Sequence, residues 1–118
     1  MPRQRSLSLY WAIRRYVRQC QDKKLAPNTL RWYTHKLKAF RLFMAREQHS
    51  ASAGSVTAVQ VQAFLAGLPV RAATAHGYRR VLHAFFGWCV QQGYARDNPA
   101  RTARMTGQAS GGAADGSG

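Results

Sequence analysis

The chain has 118 residues, 46% of them hydrophobic, which is enough for one domain with a buried core. Lysine and arginine total 18 against 4 acidic residues, so the net charge is +14 at pH 7. A polyanion best relieves the self-repulsion of such a charge, and we expect nucleic acid as the partner. No run approaches the ~20 apolar residues of a transmembrane helix, and the basic N-terminal stretch, broken by Arg14 and Arg15, is a poor signal peptide.

The first half of the chain predicts two helices, because apolar residues recur there with a period near 3.6. The first helix is expected over residues 8–21, with Ser8 as its N-cap. The second is expected over residues 28–48, with Asn28 as its N-cap, because Pro27 stops any helix that precedes it.

The second half predicts two more helices. A short one is expected over residues 57–67 with Thr57 as its N-cap, and a long one over residues 73–92 with Thr74 as its N-cap and Gly93 as its C-cap. No segment alternates with period two, as a half-exposed strand would. The fold class is therefore all-α, and the short connections favour two helical hairpins packed together.

The composition divides the chain into a folded part, residues 1–105, and a tail, residues 106–118. The tail contains mostly Gly, Ala and Ser, which cannot form a packed core, so we interpret it as disordered or as a linker.

Cysteines and tryptophans are expected mainly in the core. Cys20 and Cys89 both lie in apolar segments and are interpreted as reduced core residues of a cytoplasmic protein. Trp11 and Trp88 are expected in the core or at its edge. Trp32 points away from the apolar stripe of the second helix, and stacking on the first helix and a place on a contact surface both stay open.

The two long helices each carry cations opposite or beside the apolar stripe, with no acidic residue to neutralise them. Solvated helix faces normally mix both signs of charge, so these faces predict contact with the phosphates and grooves of double-stranded DNA. Most of these contacts should be to phosphate. The candidate DNA-binding residues are Thr29, Arg31, Thr34, His35, Lys38, Arg41, Arg71, Thr74, His76, Arg79, Arg80 and His83.

An ordered set of motifs resembles the N-terminal core-binding, SAM-like domain of the tyrosine recombinase and phage integrase family. The set begins with Ala26-Pro27-Asn28-Thr29, where the family usually has Ser in place of Ala26. The other motif residues are Leu30, Tyr33, Leu37 and Phe40 in the second helix, the Val56-Thr57 pair, Thr74 and Phe85-Phe86 in the fourth, then Gly93 and Asn98-Pro99.

The resemblance implies a SAM-like orthogonal bundle of four to five helices that forms one half of a clamp around DNA. Its partners would be double-stranded DNA, the C-terminal catalytic domain of the same parent protein, and other protomers on the DNA. The family's catalytic domain uses a His-x-x-Arg box and a later Tyr nucleophile. His76 and Arg79 match that box in spelling, but no Tyr follows Tyr94, so we do not expect this chain to be an enzyme.

Other chemistries have little support in the sequence. The four acidic residues are scattered and the histidines lack the tight spacing of metal ligands, so no cofactor and no metal are expected. The alternative function is a basic helical module that docks an acidic protein or an anionic membrane. A membrane-surface helix would need large hydrophobes beside the basic line, whereas these hydrophobes point toward the core.

Overall fold

The computed structural model describes residues 7–47 and 52–101, and these form a helical bundle. Its elements are α1 (Leu9–Asp22), α2 (Pro27–Arg46), a 3-10 turn (Ala53–Ser55), α3 (Ala58–Ala66) and α4 (Ala72–Gln92). α1 packs on α2, α3 packs on α4, and α4 also contacts both α1 and α2. This arrangement confirms the all-α prediction, and the predicted end of the second helix, Gln48, lies outside the described residues.

The first two helices begin in different ways. Ser8 caps α1 as predicted, because its hydroxyl accepts a hydrogen bond from the backbone N–H of Trp11. The predicted cap of α2 is wrong. Ala26 is the N-cap and has no side-chain cap bond, while Pro27 occupies the first turn and moves Asn28 into the helix. The fixed φ of proline suits the first helical position, so the helix starts one residue earlier than predicted.

The last two helices show the same contrast. Thr57 caps α3 in a reciprocal capping box with Gln60, as the sequence predicts in part. The predicted cap Thr74 is wrong, since α4 starts earlier and Arg71 is its N-cap without a side-chain bond. Gly93 ends α4 in the left-handed conformation, with φ at 82°, as expected of a C-terminal glycine.

An aromatic cluster forms the centre of the core, where α2, α3 and α4 meet. Phe40 makes edge contacts with Phe64 and Phe86, with ring centroids 5.2 Å and 6.0 Å apart. Phe85 and Phe86 are fully buried, and their ring centroids lie 4.9 Å apart. Such edge-to-face pairs add to the stabilisation from burial alone, and they fix the positions of α2 and α4 relative to each other.

Segments outside the helices fasten both ends of the bundle. At the start, the backbone N–H of Ala53 donates to the carbonyl of Leu7, and Ser8 and Ser52 form an isolated bridge. After α4, Tyr94 is buried and accepts a hydrogen bond from Arg15 at 2.9 Å. Across the described ranges, we find no helix whose length and apolarity would let it cross a membrane.

Candidate nucleic-acid interface

The predicted DNA-binding residues lie on α2 and α4 and are mostly exposed. Nine of them are exposed at the surface, and three are half-buried. The half-buried residues are Thr29, Arg41 and Arg79. The exposed residues are Arg31, Thr34, His35, Lys38, Arg71, Thr74, His76, Arg80 and His83.

α2 and α4 approach each other closely at Trp32 and Gly77. A Cβ atom at position 77 would lie 2.9 Å from Cζ2 of Trp32 and 3.3 Å from Cε of Lys36, so only glycine fits there without a shift. The indole of Trp32 is nevertheless 40% exposed. Trp32 therefore packs on α4, a neighbour that neither of its two open roles named, while part of its ring stays exposed; its place on a contact surface stays a prediction.

Lys36 is the buried cation behind this contact, with only 6% of its surface exposed. Its Nζ lies 4.6 Å from the ring centroid of Trp32 and 4.4 Å from that of Tyr78, so two aromatic faces hold the ammonium. Burial lowers the pKa of Lys36 from its ordinary value of 10.5, because the charged form loses its hydration. Lys36 therefore joins the two helices and does not present its charge to a ligand.

Basic residues lie near Trp32 on α2 and near Gly77 on α4 along the chain. Arg31 is the residue directly before Trp32 on α2, and His35 lies about one turn after Trp32. Arg80 lies about one turn after Gly77 on α4. All three residues are exposed. The crossing of the two helices thus combines an exposed aromatic residue with exposed arginines on both helices. We call Arg31, Trp32, His35, Gly77 and Arg80 the crossing patch.

Part of the predicted line on α2 faces a different neighbour. Thr34, Lys38 and Arg41 line a groove that α2 forms with α1. The hydroxyl of Thr34 donates to the carbonyl of Leu30 at 2.8 Å, and the guanidinium of Arg41 lies 5.2 Å from the ring centroid of Tyr10 on α1. Arg31, the first residue of the same α2 line, is not among the residues that line this groove.

The segment after α4 contacts part of that helix's polar face. Arg79 donates to the carbonyl of Arg101 at 3.3 Å, and Asn98 donates to the carbonyl of His83 at 2.9 Å. A Cβ at Gly87 would lie 3.6 Å from Nδ2 of Asn98, an ordinary contact, so packing does not require glycine at that position.

The two cysteines are free, buried thiols, as predicted. Burial raises the pKa of Cys89 to about 12, and it also raises the pKa of Cys20 from its ordinary value of 9.0. Thiolate, the reactive and metal-binding form, is therefore disfavoured at both positions. In the part of the chain that the structure describes, no three His, Cys, Asp or Glu side chains form a group that could hold a metal.

The tryptophan predictions have mixed outcomes. Trp88 lies at the core edge, where its indole N–H donates to the side-chain oxygen of Gln19. The prediction for Trp11 is wrong, since this side chain is 54% exposed. Trp11 follows Tyr10 on the outer side of α1, and periodicity on a 14-residue helix rich in apolar residues did not separate the core from that side.

Comparisons with known proteins agree with the observed fold. The sequence model of the family described as "Phage integrase, N-terminal SAM-like domain" matches residues 13–93. The solved N-terminal domain of a phage integrase/site-specific recombinase from Haloarcula marismortui is similar in fold, with a TM-score of 0.73 and 20% sequence identity. That similarity covers 81% of this chain and 94% of the archaeal domain. No curated protein sequence matches the chain.

Proposed function

Because the chain belongs to the family of phage integrase N-terminal SAM-like domains, we propose that it binds double-stranded DNA as the core-binding domain of a site-specific tyrosine recombinase. In this role it holds one side of the recombination site in the cytoplasm. A C-terminal catalytic domain of the same parent protein, and other protomers on the DNA, are its protein partners.

One observation carries the proposal. The crossing patch has an exposed arginine on each of the two helices, and neither α2 nor α4 contains an acidic residue. Arg31 and His35 extend along α2, and Arg80 lies on α4. Solvent-exposed cations without carboxylate neighbours are available to neutralise phosphates. The counterions that the DNA then releases supply most of the affinity for a duplex.

The start of α4 offers a second contact for phosphate. Arg71 is exposed and α4 has no side-chain cap, so the N–H groups of its first turn are free to face an anion. Thr74 lies in that first turn and is exposed. A phosphate there would receive hydrogen bonds from the backbone and a charge contact from Arg71, which fixes the register of the domain on DNA without reading sequence.

We assign the strand-cleavage chemistry to the catalytic domain and not to this chain. His76 and Arg79 have the spacing of a His-x-x-Arg box. Both lie on the same helix, α4, and the Arg79 guanidinium donates a hydrogen bond to the carbonyl of Arg101. An assay for DNA cleavage by this chain alone should therefore show no product.

A salt titration of duplex binding tests the proposal. If about six phosphates are neutralised, the logarithm of the binding constant should fall with a slope of about −5 against the logarithm of the salt concentration. Fluorescence anisotropy with a labelled random duplex between about 50 and 200 mM NaCl measures this slope. A flat titration, or no binding at low salt, would contradict the proposal.

Charge-removing variants locate the interface. Arg31→Gln and Arg80→Gln should weaken binding to all sequences alike and reduce the salt slope by about 1 each. Arg96→Gln removes the same charge from an exposed position outside α2 and α4, so it is the matched control. Equal losses for all three variants would mean that only net charge matters and that the crossing patch is not the interface.

A further inference from the structure

α1 and α2 form a groove on the flank of α2 opposite the side that packs on α4. Its volume is about 850 Å³. One wall carries exposed aromatic and cationic side chains of α1, Tyr10, Trp11 and Arg14 among them, and the other carries Lys38 and Arg41 of α2. Neither the family match nor the crossing patch assigns a role to this groove.

Two guanidinium groups are already held in place at the groove. Arg14 lies 5.6 Å from the ring centroids of both Tyr10 and Trp11 and donates to the Tyr10 hydroxyl at 3.2 Å. Arg41 lies 5.2 Å from the Tyr10 ring centroid. Cations that stack on aromatic rings lose less side-chain entropy when a ligand binds, so these arginines are preorganised for an anion.

Nothing in the described ranges neutralises these two arginines: Asp22 is the one acidic residue that lines the groove, and no ion pair joins it to Arg14 or Arg41. The groove also has apolar parts, since Ile13 and the half-buried Val17 line it. A ligand that fills it must therefore supply both carboxylates or phosphates and apolar groups.

These requirements favour a peptide over a DNA duplex. Packed helices lie 8–10 Å apart on average, and a duplex is too broad to enter the groove that they leave between them. Its phosphates could reach the rim, but the sugar–phosphate edge of a duplex has no large apolar group to place on Ile13 or Val17. Trp, Tyr and Arg around an apolar centre form the composition of protein–protein hot spots.

We propose that the groove between α1 and α2 binds an acidic amphipathic peptide segment of a partner protein. Its Asp or Glu side chains pair with Arg14 and Arg41, and an apolar side chain packs against Trp11 and Val17. The partner is not a second copy of this chain, which has only four acidic residues, no two of them close in sequence, and a net charge of +14.

The test uses a labelled peptide of about 16 residues with Leu and Phe at helical spacing and Glu at the remaining positions. A second peptide keeps every Glu but has Ser in place of Leu and Phe. We expect the first peptide to bind at least about 10-fold more tightly at near-physiological salt, because charge alone is screened there. It should also shift the Trp11 indole signal in NMR spectra. Equal binding of both peptides, or an unmoved Trp11 signal, would overturn the proposal.

Paired variants separate this site from the DNA interface. Trp11→Ala should weaken the peptide about 30-fold, as for an interface hot spot, and Arg14→Gln should weaken it also, with DNA binding nearly unchanged for Trp11→Ala. Arg80→Gln, the matched control, should weaken DNA binding and leave peptide binding unaffected. Circular dichroism verifies the fold of each variant. A random duplex that displaces the peptide and shifts the Trp11 signal would make the groove part of the DNA surface and overturn the proposal.

Discussion

Gly77 and Gly87 lie on the same helix, and only one of them is required by packing. Gly87 lies on the polar face of α4, and the structure gives its missing Cβ ordinary room. Gly77 is the residue that lets Trp32 and Lys36 reach α4. The sequence shows a glycine at position 77 but not what packs against it. Trp32, which needs the space that a side chain there would fill, is 45 positions away in the chain, so this role could not be predicted.

The buried Lys36 leads to a prediction about pH. Its pKa in the folded state is lowered by burial, so the folded protein releases this proton at a lower pH than the unfolded chain does. Between the folded pKa and 10.5 the unfolded state binds more protons, and stability therefore rises with pH in that window. Relative to a Lys36→Met variant, the wild type should become more stable as the pH increases.

Urea unfolding of both proteins at about pH 7 and about pH 9.5 measures this difference. The comparison with the variant is necessary because the raised pKa values of Cys20, Cys89 and Tyr16 act in the opposite direction at alkaline pH. These groups are present in both proteins, so their effects cancel. A difference that shrinks with pH would mean that the contacts with Trp32 and Tyr78 outweigh the lost hydration.

At the scale of the elements, the sequence predicts helices better than it predicts their first residues. Ser8 and Thr57 both cap a helix as expected: the backbone of each is extended, and each hydroxyl accepts a hydrogen bond from a backbone N–H in the first turn of its helix. Asn28 and Thr74 are equally good capping types but lie inside their helices. Proline at the first position of α2 and good helix formers before Thr74 extend both helices toward the N-terminus.

A pair of threonine variants tests this reading of the caps. Thr57→Ala removes the hydroxyl that accepts a hydrogen bond from the backbone N–H of Gln60 and should lower the free energy of unfolding by about 1 kcal/mol. Thr74→Ala changes a residue that caps nothing and should have an effect within about 0.5 kcal/mol. Urea unfolding gives both values, and equal losses for the two variants would contradict the assigned caps.

The candidate site was predictable only one helix at a time. Periodicity places Arg31, Thr34 and Lys38 on one flank of α2, and that is where they lie. It cannot show which neighbour this flank faces, since α1 and α4 pack on opposite sides of the same apolar stripe. The split between a crossing patch and a groove with Arg41 depends on tertiary packing, which a single-helix pattern does not contain.

For the whole molecule, the boundary of the family match differs from the boundary of the packed core. The match ends at residue 93, where α4 is capped. The next residues are part of the core: Tyr94, Ala95 and Ala100 are buried. Asn98 both donates to the carbonyl of His83 and accepts from the backbone N–H of Ala100, each at 2.9 Å. The Asn-Pro motif thus closes the domain by fastening this segment to α4.

Shortened chains test whether this segment is needed for stability. A chain that ends at residue 93 loses the Tyr94 ring, which packs on Trp88 at 5.6 Å between centroids, and the hydrogen bond from Arg15. Loss of a buried aromatic side chain costs about 3–5 kcal/mol, a large part of the stability of a small domain.

A chain that ends at residue 105 keeps the segment and should match the full chain, in agreement with the predicted domain limit. Thermal unfolding followed by circular dichroism compares the three proteins. If the chain that ends at residue 93 melts at the same temperature as the full chain, the contacts of Tyr94 and Asn98 are dispensable and the domain ends with α4.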